Sequence, residues 1–239
     1  MKNLLLKYSL ILSLLFLISR ANAQSSNNAA GQSREVRDFT GISVDIPAEV
    51  SISQDNNYVV RIDASQELLD QIVTAKDGQD LVIKFKNNKW HWNGNEHIRI
   101  TIHLPKLNSI ELNGSGNVIA QTDFSTDKLR LEVNGSGDLK LMKISATDLD
   151  AEINGSGSIL DISGTVNDMD LEVNGSGDIK AEKLGGKKVN ASIAGSGDIN
   201  IGETEALNAE IAGSGNVYYK GNPASLHKDV VGSGKVSRN

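Results

Sequence analysis

The chain has no cysteine. That excludes a disulfide scaffold, a thiol nucleophile and a lipid anchor attached at a cysteine, so stability must come from packing and hydrogen bonds. Proline is scarce as well, at three in 239 residues, and aromatic residues make up only 4%. Alongside abundant Gly, Asn, Asp, Ile and Val, that scarcity points to an all-β chain with many turns. Positive charge is also short, with 24 Lys and Arg against 30 Asp and Glu and a net charge of -6. Without a basic stripe to neutralise phosphates, nucleic acid is not the expected partner. Beyond residue 23 no apolar run approaches the ~20 residues of a membrane-spanning helix, so the mature chain is not expected to be integral to a membrane.

One apolar run stands at the start. Lys2 and Lys7 precede Leu10 to Ile18, and Ala21-Asn22-Ala23 supplies the small-x-small pattern of a signal peptidase site. Residues 1–23 read as a signal peptide, which implies export to the periplasm, the cell surface or the medium. Residues 24–34 are polar and read as a flexible leader.

From Lys106 onward one unit recurs. The triplets are Gly114-Ser115-Gly116, Gly135-Ser136-Gly137, Gly155-Ser156-Gly157, Gly175-Ser176-Gly177, Gly195-Ser196-Gly197, Gly213-Ser214-Gly215 and Gly232-Ser233-Gly234. Their spacings are 21, 20, 20, 20, 18 and 19 residues. A period in this range marks a solenoid or array. Upstream of each triplet, apolar residues such as Leu129, Leu131 and Val133 alternate with polar ones such as Arg130 and Glu132. That is the period of a strand with one face buried. A second short alternating run follows each triplet, and looser segments such as "ISATD" and "GETEA" lead back. With no helical pattern between strands, the unit fits a right-handed parallel β-helix, a β-solenoid with rungs of about 20 residues, each strand ~4.8 Å from its copy.

Seven glycine triplets are better explained as corners than as ligand loops. Glycine allows φ > 0 and a close approach between stacked turns. The serines are expected to stack, with hydroxyls bonding along the column. Asn113, Asn134, Asn154 and Asn174 precede four of the corners and are expected to form an amide ladder. Ala194, Ala212 and Val231 take that position in the last three, where the ladder should stop. A phosphate loop is disfavoured, since no triplet extends to G-x-G-x-x-G or to Gly-Lys-Ser/Thr, and strands follow instead of helices.

Residues 35–105 lack the repeat. They contain alternating runs, a short helical pattern at 65–73 with Ser65 as N-cap, and the segment "NNKWHWNGNE" between two strand patterns. A solenoid end exposes unpaired backbone and core, so this region reads as the first coils plus an N-terminal β-rich cap. Residues 106–239 form the repeat solenoid.

"VRDFTGISVDIPAEVSISQ", "LVIKF", "ITIHLPKLNSIELNGSGNV" and the repeated N-G-S-G-D resemble the head GIN domain family of secreted bacterial proteins, often labelled putative autotransporter adhesins. The resemblance spans residues 35–239. It implies a parallel β-helix-like fold and no established catalytic residues. An autotransporter also needs a membrane barrel with aromatic girdles, which four Phe, four Tyr and two Trp are not expected to supply.

Trp90 and Trp92 flank His91, and such aromatics can stack on sugar rings or cover the edge of a core. These three are the tentative ligand-binding residues. The file Glu111, Glu132, Glu152, Glu172, Glu210 and Asp229, and a second of Asp138, Asp178 and Asp198, offer oxygens to Ca²⁺. The nine-residue calcium repeat is absent, however, so a solvated face is preferred and no metal or cofactor is expected. His97 and His103 lie too far apart in sequence to share an ion. The chain therefore reads as an exported, non-catalytic solenoid with an adhesin-like or envelope scaffold role, binding a glycan or a cell-surface protein. The alternatives are a carbohydrate-active β-helix enzyme, on fold analogy alone, and a structural or signalling partner in the envelope.

Overall fold

The computed structural model describes residues 30–87 and 96–239. The expected signal peptide and residues 24–29 of the leader lie outside that range, as do Trp90, His91 and Trp92.

The non-repeating part contains β1 (Ala30–Ser33), β2 (Gly41–Val44), β3 (Glu49–Gln54), β4 (Val59–Ala64), helix α1 (Gln66–Gln71), β5 (Ile72–Asp77), β6 (Asp80–Phe85) and β7 (Arg99–Leu104). The first repeat coil follows as β8 (Ser109–Gly114) and β9 (Asn117–Ala120). Space and sequence disagree about the order of the coils. Strand β2 pairs in parallel with both β6 and β8, and β3 pairs in parallel with both β7 and β9. The β2–β3 coil thus sits between the β6–β7 coil and the first repeat coil, though it comes earlier in the chain. Beyond it the pairing turns antiparallel, with β5 along β6, β4 along β7, and β1 along β4. Antiparallel strands let the chain double back and close an end that a further parallel coil would leave open.

The N-terminal segment is therefore not loose throughout. Residues 30–33 pair with β4, and the Arg34 guanidinium donates to the carbonyls of Leu69 (2.9 Å) and Ile72 (3.4 Å). A cation on the last carbonyls of a helix satisfies groups with no intrahelical partner. At the other end of α1, the Ser65 hydroxyl accepts from the Leu68 amide, and Leu68 and Leu69 are buried against the coil.

The repeats continue as β10 (Phe124–Ser125), β11 (Lys128–Gly135), β12 (Asp138–Lys140), β13 (Lys143–Gly155), β14 (Ser158–Leu160), β15 (Ser163–Gly175), β16 (Ile179–Ala181), β17 (Lys183–Gly195), β18 (Asp198–Gly213), β19 (Asn216–Lys220), β20 (Ser225–Gly232) and β21 (Lys235–Arg238). They stack as a parallel β-solenoid in which each residue pairs with its copy one repeat on. Glu132 pairs with Glu152, and Glu152 with Glu172. Inward positions such as Leu131, Ile153 and Leu171 are at most 1% exposed, each contributing roughly 1.5–3 kcal/mol of burial against the entropy of ordering. The return segments, read from sequence as looser, are paired strand as well. Lys143 to Ala146 match Ser163 to Val166 before the pairing skips one residue at Thr147. Buried Ile144 and Val166 make this a further packed side of the coil.

The corners show why glycine recurs twice per turn. The first glycine of all seven triplets has φ between 123° and 145°, a region that side chains disfavour. At five of the seven corners its carbonyl accepts two amides of the next coil, as Gly135 O takes Ser156 N (2.8 Å) and Gly157 N (3.0 Å), while Gly155 O takes Ser176 N (2.9 Å). From Gly135 onward, a Cβ on either glycine would run into a corner carbonyl of the coil before it. The column is thus fastened by serine backbone amides; among the described residues no serine hydroxyl of a corner bonds to its neighbour, contrary to the expectation above. The reason is geometric, because the double acceptor already joins the turns.

At the far end, β20 and β21 are edge strands, and Leu226 and Val230 are 39% and 38% exposed. Lys228 stands where earlier coils carry Leu171 or Ala209. Its ammonium donates to Val236 O (2.9 Å) and lies 5.5 Å from the Tyr219 ring centre. An inward-pointing charge of this kind discourages a further coil from adding.

Candidate functional site

Two polar files run beside the corner column. In the first, Asn134 Nδ2 donates to Asn113 Oδ1 (2.9 Å), Asn154 to Asn134 (3.0 Å) and Asn174 to Asn154 (3.1 Å). Each amide also donates to the glutamate two residues back: Asn113 to Glu111 (2.9 Å), Asn134 to Glu132 (2.7 Å), and Asn154 and Asn174 to Glu152 and Glu172 (both 2.8 Å). Asn113 reaches Asp45 as well, at 2.8 Å. In the second file, Asp138 Oδ1 accepts from Ser158 N, Asp178 Oδ1 from Asp198 N, and Asp198 Oδ1 from Asn216 N. Of the oxygens that sequence offered to calcium, those of Asp138, Asp178 and Asp198 join coils, and those of Glu111, Glu132, Glu152, Glu172 and Glu210 accept from an asparagine of their own coil. Among the described residues no three His, Cys, Asp or Glu side chains are placed to hold a metal ion.

The outward face of the long strands is acidic. Asp148, Asp150 and Glu152 on β13 lie beside Asp168, Asp170 and Glu172 on β15. Arg130 partly offsets them, at 3.0 Å from Glu132, 3.6 Å from Glu152 and 3.8 Å from Asp150. The hydrogen bond to Glu132 raises the guanidinium pKa further, so Arg130 is a fixed cation. Near the cap, His103 Nδ1 lies 2.5 Å from Asp55. A hydrogen bond from the Asn57 amide, and then the one to His103, lower the Asp55 pKa below its usual value.

One cavity that could take a ligand lies where three corners meet. Pro47-Ala48-Glu49 turns from β2 into β3, Glu96-His97-Ile98 leads into β7, and Ser115-Gly116-Asn117 is the first glycine corner. Glu49 N bonds to Ile98 O (2.9 Å) and Asn117 N to Ala48 O (2.8 Å), which locks the three together. Gly116 is needed there, since a Cβ would lie 2.7 Å from Ala48 O and 2.9 Å from Ala48 N. The result is an open cavity of ≈ 260 Å³ lined by two carboxylates, an imidazole, a hydroxyl and an amide. Glu49 is paired with Arg99 at 3.4 Å, and Glu96 is hydrogen-bonded by the Ser65 hydroxyl. Such a lining offers many hydrogen-bond donors and acceptors to a polar ligand. Sequence reasoning missed this cavity because its three segments are far apart along the chain. The tentative ligand residues Trp90, His91 and Trp92 lie outside the described residues.

The family model for "Putative auto-transporter adhesin, head GIN domain" matches residues 38–223. The chain belongs to the head GIN domain family. Among solved structures, a "putative adhesin" from Bacteroides fragilis NCTC 9343 is similar at 26% identity and TM-score 0.84, covering 90% of this chain and 98% of that one. A "putative lipid binding protein" from Parabacteroides distasonis ATCC 8503 is 25% identical with TM-score 0.73 and the same coverage. A "putative adhesin" from that organism, at 23% identity and TM-score 0.73, shares the fold. A search of curated proteins finds no match. The matched family segment ends just before β20.

Proposed function

We propose that the protein is an exported, non-catalytic adhesin-like module that binds a glycan or a cell-surface protein at the capped end of its solenoid. The observation behind this reading is the polar cavity at Glu49, Glu96, His97, Ser115 and Asn117. Its size suits a single sugar-like group, and hydroxyl-rich ligands are recognised by just such mixed donors and acceptors. Family membership and the similarity to a protein described as a "putative adhesin" support the same direction. The "putative lipid binding protein" makes lipid the competing ligand. Against it stands a core filled by side chains, in which Leu131, Val133 and Ile153 are 0% exposed.

A glycan array and liposome flotation with the mature protein test the reading, alongside a Trp90→Ala/Trp92→Ala variant and an Asn117→Ala variant. Glycan binding that both variants weaken at least tenfold is expected. Flotation without glycan binding would replace sugar by lipid. Release of product from a polysaccharide would overturn the non-catalytic assignment.

A further inference from the structure

Four of the described corners carry an Asn-Gly pair: Asn113-Gly114, Asn134-Gly135, Asn154-Gly155 and Asn174-Gly175. This dipeptide is chemically vulnerable, because glycine has no Cβ to hinder its own amide nitrogen. That nitrogen attacks the asparagine Cγ, forming a C–N bond and a five-membered imide. The Cγ–Nδ2 bond breaks, and the side-chain nitrogen leaves as ammonia with the proton lost by the glycine amide. Water then opens the imide at either carbonyl, giving aspartate or isoaspartate. In total, one water is consumed and one ammonia released.

For Cγ to reach the next nitrogen, the side chain must rotate out of the ladder. Asn113, Asn134 and Asn154 are held from both sides, since each Nδ2 donates twice and each Oδ1 accepts from the asparagine of the next coil. Asn174 differs. Its Nδ2 donates to Asn154 and Glu172, but the next coil has Ala194 in register. Among the described residues nothing donates to Asn174 Oδ1, whereas its burial is the same as that of the other three, all half-buried. The backbone is alike at Gly135, Gly155 and Gly175, with φ of 141°, 144° and 142°, and differs at Gly114, with φ of 123°. The side-chain fastening is therefore what separates Asn174 from Asn134 and Asn154.

We propose that Asn174-Gly175 is a site of spontaneous deamidation, and that the amide ladder shields the three Asn-Gly pairs before it. A carboxylate at position 174 would face Glu172 and could no longer donate to Asn154 Oδ1. Modification thus replaces two hydrogen bonds by a like-charge contact and opens the ladder from its free end.

Peptide mapping by mass spectrometry, with an isoaspartate-specific readout, follows the mature protein through long incubation at mildly alkaline pH. Asn174 is expected to convert several-fold faster than Asn113, Asn134 and Asn154. Asn93-Gly94, outside the described residues, serves as an internal clock for the chemistry. Ala194→Asn supplies the missing donor, so Asn174 slows to the interior rate and the fastest corner becomes position 194. Asn154→Ala removes a partner of Asn174 and should speed it. Far-UV circular dichroism checks that both variants keep the fold, and either suffices alone. Equal rates at all four corners would overturn the proposal, as would Asn174 rates indifferent to a folded variant.

Discussion

The same corner is built in two ways along one stack. In the coils that end at Asn113 to Asn174, an amide file and a glutamate file lie beside the glycines. In the coils that end at Ala194, Ala212 and Val231, methyl groups take the amide position. The glycines hardly notice the change: φ is 144° at Gly155 and 144° at Gly213. Ser156 N meets Gly135 O at 2.8 Å, and Ser214 N meets Gly195 O at 2.8 Å. Turning the chain is therefore the work of the glycine carbonyl and the missing Cβ atoms. The asparagines add fastening to a corner that already closes without them.

That division orders the expected effects of substitution. The largest belong to the glycines and should be equal in both halves. Gly155→Ala and Gly213→Ala each force a side chain into positive φ and against a neighbouring carbonyl, at a cost of about 3 kcal/mol or more. Urea midpoints of the two variants should fall together; a tolerant Gly213 would show that the halves turn by different means.

Smaller losses follow inside the ladder. Asn154→Ala leaves Asn134 Oδ1 and Glu152 without their donor and Asn174 without its acceptor, costing about 1–3 kcal/mol. Asn174→Ala, with no coil above depending on it, should cost about 1 kcal/mol. Equal costs would mean that the file adds nothing across coils.

Extending the ladder is the gentler experiment. Ala194→Asn gains a bond to Asn174, but Ser192 stands where a glutamate would anchor the new amide. A gain of at most about 0.5 kcal/mol is expected in thermal melts. The smallest effect concerns Asp55, at the cap. Its pKa is lowered on folding, so its contribution is present above the usual carboxylate pKa of about 3.9 and is lost as pH falls through the folded value. Asp55→Asn should flatten the acid limb of the stability profile slightly and leave pH 7 stability near wild type.

How much of this could be read from residues alone follows from the range of each interaction. The strand period, the corner glycines and the rung length are local patterns, and parallel stacking brings identical positions together, so Leu131 and Ala151 reveal their own neighbours. The stacking order at the cap is not local. β2 alternates in the same way whichever strands flank it, and nothing in "GISV" says that β6 and β8 take its two sides. The return side was missed because Ser145 and Thr147 are polar, and Ile144 is a single buried anchor in a short run. The serine hydroxyls were the natural guess for the column, since backbone carbonyl direction cannot be seen in a triplet. The cavity escaped notice because Glu49, Glu96 and Asn117 meet only after the coils interleave.

The absence of native cysteine allows a direct test of the stacking itself. Ser136 and Ser156 follow the paired glycines Gly135 and Gly155, one strand spacing of ~4.8 Å apart, within reach of a disulfide. Ser136 and Ser176 stand two spacings apart, beyond that reach. Ser136→Cys/Ser156→Cys should therefore oxidise readily to an intramolecular bond, and Ser136→Cys/Ser176→Cys should not. Cross-linking of the distant pair as efficiently as the near one would contradict the solenoid register.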